Sequence, residues 1–141
     1  MEQLITFAVD NGMLSAVWVA LVVMIIFMTI KMKMSPIKQI STQDLTFLMN
    51  REAGVALDIR KDKEFKAGHI LDAINLPSEK ISKNGLTSLE KYKDKPIIVV
   101  CAAGMSAMQI ANDLFKAGFS RVSVLKGGMN SWTGAGLPVA K

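Results

Sequence analysis

The run Met13–Ile30, MLSAVWVALVVMIIFMTI, holds eighteen positions without a charge. That is the length of a helix that spans a bilayer, and it divides the chain before any other feature is read. A cleaved signal peptide would need a basic start, a shorter apolar core and a small-residue cleavage site. Here Glu2 and Asp10 precede the run, no Lys or Arg does, and Lys31-Met32-Lys33-Met34 follows it. The sequence therefore predicts a retained anchor: a short extracytoplasmic N-terminus (1–12), a transmembrane helix (13–30), a juxtamembrane linker (31–36) and one domain (37–141).

Charge sets the expected orientation. Every Lys and Arg lies at or after Lys31, where the chain carries 17 Lys+Arg and 10 Asp+Glu, a net +7. The positive-inside rule places the N-terminus outside and the domain in the cytoplasm. Ser35-Pro36 marks the linker, and about seven residues reach at most about 25 Å, so the domain stays near the bilayer. Lys31, Lys33 and Lys38 would lie against anionic headgroups. No stacking platform, recognition-helix signature or arginine cluster accompanies the basic charge, so no nucleic-acid partner is assigned. A single cysteine excludes an internal disulfide and suits a reducing compartment. Met32-x-Met34 has no Cys or His beside it, so neither a metal nor another cofactor is expected.

After the linker, strands and helices alternate. The periodicity predicts strands at Ile37–Ile40, Val55–Ile59, Ala73–Pro77, Ile97–Val100 and Val122–Leu125. Ser41 caps a helix with Asp44 three places on. Lys61–Gly68 reads as a short helix. Leu86, Leu89 and Tyr92 fall at helical spacing, and Met108, Ala111, Leu114 and Phe115 form the buried face of a longer helix. Gly127-Gly128 turns into a last helix bearing Trp132. This alternation implies an α/β fold with a mostly parallel five-stranded sheet covered on both faces.

The stretch Ile97–Ala107 concentrates the chemistry. Four β-branched residues fenced by Pro96 read as a central strand, followed by small residues and a helix from about Ser106. The only cysteine, Cys101, sits at the bend, where open α/β sheets place their ligands. Backbone N–H groups of Ala102, Ala103, Gly104, Met105, Ser106 and Ala107 would curl around a partly exposed thiolate favoured by the helix dipole. The simpler alternative is a small core residue at the end of an apolar strand.

Val55-Ala56-Leu57-Asp58-Ile59-Arg60, Gly68-His69-Ile70, Ala73-Ile74-Asn75-Leu76-Pro77, Cys101, Gly118-Phe119, Leu125-Lys126-Gly127-Gly128, Trp132 and Gly136-Leu137-Pro138 together resemble a single-domain rhodanese, over about residues 40–139. With its anchor, the layout is similar to membrane-tethered rhodanese-like proteins of the bacterial inner membrane. The resemblance implies that Cys101 takes sulfur from a sulfane donor, becomes a persulfide and passes the sulfur to a thiol acceptor. Active relatives carry arginine directly after the cysteine and a basic residue or threonine near the loop's end. Ala102, Ser106 and Ala107 stand there instead, which predicts weak thiosulfate turnover. Phosphatases of similar fold use Cys-x5-Arg, and Ala107 in the place of that arginine argues against such activity. His69, and Asp58 with Arg60, read as structural, as does Trp132. The other function class is a catalytically silent rhodanese-fold module, recruited by its anchor to a membrane-protein partner, with Ser15, Ala16 and Ala20 as the small residues open to another helix.

Overall fold

A computed structural model describes residues 1–33, 36–81 and 85–141. The expected linker positions Met34 and Ser35, and residues 82–84 of the polar stretch, lie outside the described residues. The chain divides into Met1–Pro36 and Ile37–Lys141.

The first unit contains α1 (Glu2–Asp10) and α2 (Gly12–Lys33). α1 occupies the stretch expected only as a short N-terminus ahead of the span. Leu4, Ile5, Ala8 and Val9 nevertheless recur at helical spacing, and Asn11 closes α1 with its N–H and its side-chain amide both donating to Phe7 O. Ser15 Oγ donates to Ala8 O at 3.0 Å across the joint. The Gly12–Ile30 part of α2 is long and apolar enough to cross a membrane, and none of it is buried in protein.

The second unit runs β1 (Lys38–Ile40), α3 (Thr42–Arg51), β2 (Val55–Asp58), α4 (Asp62–Ala67), β3 (Ile74–Asn75), α5 (Ser78–Lys80), α6 (Leu86–Leu89), a 3₁₀ turn (Glu90–Tyr92), β4 (Ile97–Val100), α7 (Met105–Lys116), β5 (Val122–Leu125) and α8 (Gly128–Gly134). The strand order is β1-β5-β4-β2-β3, with all four pairings parallel. Alternation along β4 builds both halves of the core. Ile97 and Val99 pack with Leu57, Val124 and the α7 residues Ala107, Ala111 and Leu114. Ile98 and Val100 pack with Ala56, Leu45 of α3, and Met129 and Trp132 of α8. The Ser41 cap forms a reciprocal box with Asp44.

Two expectations change in detail. The third strand shrinks to Ile74–Asn75, although Leu76 N–H still donates to Asp58 O at 2.9 Å. The stripe Leu86, Leu89, Tyr92 supports only α6 and the 3₁₀ turn. Steps of three suit a 3.0-residue turn, whereas an α-helix would rotate them off one face.

Candidate active site

Cys101 follows β4 directly and belongs to the α7 half of the core. The chain then bends through Ala102 and Ala103 to Gly104, whose φ of +91° lies in the left-handed region. That geometry turns the Gly104 N–H back onto Cys101 Sγ at 2.8 Å. Gly104 is also the N-cap of α7 and offers no side chain to cap it, so the helix opens with its first-turn amides unclaimed by a side-chain cap. Sulfur thus faces a backbone donor at the positive end of a twelve-residue helix. The helix starts one residue before the expected Ser106, because Gly104 reverses the chain early enough for Met105 to enter it.

The outer side of the loop is tied to the first turn of α8. Met129 N–H donates to Cys101 O at 2.8 Å and Asn130 N–H to Ala102 O at 3.0 Å. Gly128 lies so close that a Cβ there would stand 2.1 Å from Cys101 O, and one on Gly104 would stand 3.1 Å from Gly127 N. The double glycine, read from sequence as a simple turn, is therefore also the surface on which the cysteine loop rests. A GG pair before a helix signals tight backbone; what it packs against is set by a strand neighbour far off in sequence.

The closeness of that packing corrects one expectation. Cys101 is 6% exposed, not a partly exposed residue, because the Gly104 turn folds over it and the Gly127-Gly128 turn closes the side beneath. The rim is open: Ala102, Ala103, Met105 and Ser106 are exposed, with Met105 at 86%, while Ala107 is buried against the sheet. No charged side chain occurs from Ala102 to Ala107.

The charge of Arg60 is committed to its own network. Ile59 N–H donates to Val100 O, which sets Arg60 beside the end of β4. Arg60 Nε and Nη2 donate to both oxygens of Asp58, with 2.7 Å for Nη2 to Oδ2, and Nη2 also donates to Gly68 O at 2.8 Å. Asp58 is 1% exposed. Asn75 Nδ2 closes the network by donating to Asp58 O and Arg60 O. His69 stacks on Phe65 with centroids 3.8 Å apart and donates from Nδ1 to Phe65 O. Trp132 is buried and donates from Nε1 to Pro138 O at 2.9 Å. An open cavity of about 270 Å³, lined by Arg60, Glu64, Met129, Asn130, Thr133 and Val139 among others, lies next to the loop's support. None of Cys101–Ala107 lines it.

Trp132→Phe removes one buried hydrogen bond and three buried ring atoms, and is expected to cost at least about 1–2 kcal/mol by urea denaturation. Unchanged stability would mean that the Pro138 contact does not hold the C-terminal segment.

The model of the rhodanese-like domain matches residues 41–135. The chain belongs to the rhodanese-like domain family. It is 40% identical to the uncharacterized protein YibN of Escherichia coli K12 over 141 residues, covering all of this chain and 99% of that one. It is 36% identical to the thiosulfate sulfurtransferase GlpE of Pseudoalteromonas translucida over 98 residues, which is 70% of this chain and 90% of GlpE. The crystal structure of a rhodanese-related protein from Thermoplasma volcanium superposes with a TM-score of 0.65 at 31% identity, covering 73% of this chain and 97% of that one. This rhodanese-like domain thus has sulfurtransferases among its distant homologues, and its five-stranded parallel sheet is the rhodanese fold.

Proposed function

We propose that this rhodanese-like protein is a membrane-anchored sulfurtransferase or persulfide carrier, acting from the cytoplasmic face of a bacterial inner membrane through Cys101. The observation that carries this reading is the Gly104 N–H donating to Cys101 Sγ at the N-terminus of α7. A backbone donor aimed at sulfur favours the anion in thiolate and persulfide alike. Loading proceeds by attack of the Cys101 thiolate on the outer sulfur of a sulfane donor. The S–S bond of the donor breaks, a Cys101 persulfide forms, and the donor leaves as sulfite from thiosulfate or as thiolate from a persulfide. Unloading reverses the roles: an acceptor thiolate attacks the terminal sulfur, and Cys101 leaves as thiolate. With a single cysteine in the chain, no second thiol resolves the persulfide internally.

Donor choice follows from charge. Thiosulfate is a dianion, and the loop meets it with backbone amides alone. A charged donor to an anion is worth about 1.5–3 kcal/mol, one to two decades in rate. Ala102→Arg is therefore expected to raise thiosulfate kcat/KM by about ten-fold or more while changing loading from a low-molecular-weight persulfide far less. Equal gains with both donors would remove charge as the limiting factor.

The silent-module reading draws on the 6% exposure of Cys101 and the uncharged loop. In that case neither donor loads sulfur on the wild type, and crosslinkers placed at Ser15, Ala16 or Ala20 in native membranes capture one specific membrane protein. The proposed orientation has its own check. A periplasm-dependent reporter enzyme fused after Lys141 should be inactive, and an active one reverses the topology.

A further inference from the structure

The parallel sheet gives the domain two chemically different poles. Strand carboxyl ends, with Cys101, share one pole, and strand amino ends share the other. The segments arriving at the amino pole are tied together: Val55 N–H donates to Pro96 O and Ile97 N–H to Arg121 O, both at 2.8 Å. Arg51 and Lys116 end α3 and α7 there, since a crossover helix returns the chain to where the next strand starts.

Among the described residues, this amino pole carries seven Lys and Arg against the four acids Glu52, Glu90, Asp94 and Asp113. Arg121 is paired with Glu52. Lys38, Arg51, Lys91, Lys93, Lys95 and Lys116 have no ion-pair partner among the described residues, and all but the half-buried Lys93 are exposed. Aromatic faces gather three of them: Lys91 and Lys95 Nζ lie 5.0 and 5.7 Å from the Tyr92 ring, and Lys93 Nζ lies 5.9 Å from that of Phe119. The cysteine pole differs. It is nearer balance: its stretch 58–66 carries four cations and three acids, with Arg60 on Asp58 and Lys80 reaching Asp62 at 4.0 Å, although Lys61, Lys63 and Lys66 have no ion-pair partner among the described residues.

We propose that the amino pole docks on anionic phospholipid headgroups of the bilayer that holds α2, so that Cys101 faces away from the membrane. The proposal rests on the anchor reading above for the bilayer's nearness. The covalent chain supplies the rest: five residue steps from Lys33 to Lys38 span at most about 18 Å, and Lys38 opens β1 at this pole. Unpaired cations held this close to an anionic surface bind it electrostatically, and salt screens the attraction. A nucleic-acid backbone offers the same charge, but the aromatic faces that would stack bases are taken by lysines here. Docking at this pole leaves the cysteine loop open to soluble donors and acceptors.

The test uses the full chain in nanodiscs of phosphatidylcholine, with and without about one third phosphatidylglycerol, labelled by an amine-reactive ester and mapped by peptide mass spectrometry. Lys91, Lys93, Lys95 and Lys116 should label at least three-fold more slowly in the anionic discs, with Lys61, Lys63 and Lys126 unchanged. High salt should abolish the difference, and so should Lys93→Glu with Lys95→Glu and Lys116→Glu, read at Lys91, in a variant that still melts cooperatively. Equal labelling of the amino pole in both discs overturns the docking and leaves the anchor standing, as does protection of the cysteine pole instead. A chain that does not enter the discs overturns the anchor and the docking together. Protection that appears in neutral discs only on adding single-stranded RNA overturns the lipid assignment.

Discussion

Asp58→Ala is expected to lower the unfolding free energy by about 3–5 kcal/mol, seen as a large fall in the denaturant midpoint. The reason is what the substitution leaves behind. Arg60 has a side chain 11% exposed, and its guanidinium is held by both Asp58 oxygens and Gly68 O. Without the carboxylate, a cation stays in a site built for a pair, with only one carbonyl to satisfy it. Replacing both members, Asp58→Leu with Arg60→Met, should cost clearly less than Asp58→Ala alone, since no charge is then stranded. Additive losses in the double variant would show that Arg60 contributes by packing rather than by its charge.

A second large effect is expected at Gly128. An alanine there adopts a φ of +56° and drives its Cβ toward Cys101 O, which would stand 2.1 Å away. The left-handed backbone costs about 1–2 kcal/mol and the forced repacking about 1–3 more, a sizeable part of a typical domain's stability. The clash also pushes on the carbonyl that Met129 N–H holds, so the loop shifts and sulfur loading falls along with stability. Gly134, in the same helix, has nothing within 4 Å of an added Cβ. Gly134→Ala should therefore be neutral or stabilise by up to about 1 kcal/mol. Thermal melts of the two variants, with loading measured on the folded fraction, separate the contributions. Loading that survives Gly128→Ala undiminished would mean that the double glycine does not shape the cysteine loop.

The contrast between these glycines shows what the sequence could and could not carry. The short, mostly apolar runs at Val55, Ile97 and Val122, each bounded by Gly, Pro or polar residues, made the parallel sheet legible, because buried strands need such runs. Cys101 was legible as the end of the central strand for the same reason. Its depth was not. That depends on the left-handed turn at Gly104 and on Gly128 meeting Cys101 O, a contact between residues 27 apart that no local pattern encodes. Arg60 was readable as half of a charge pair with Asp58. Its second bond, to Gly68 O, needed the fold to bring α4's end beneath it. The α1 helix is harder to read because nine residues are short for a helix signal and lie beside a much longer apolar run.

Whether Cys101 carries sulfur can be read from the intact mass of the protein. The wild type and Cys101→Ser are each exposed to a low-molecular-weight persulfide and, separately, to thiosulfate, then desalted and weighed. The expected result is a gain of one sulfur atom on the wild type from the persulfide, a smaller fraction loaded from thiosulfate, loss of the added sulfur on treatment with a small thiol, and no gain on Cys101→Ser. A wild-type protein that never gains sulfur from either donor would make Cys101 a core residue and rule out sulfur transfer through it.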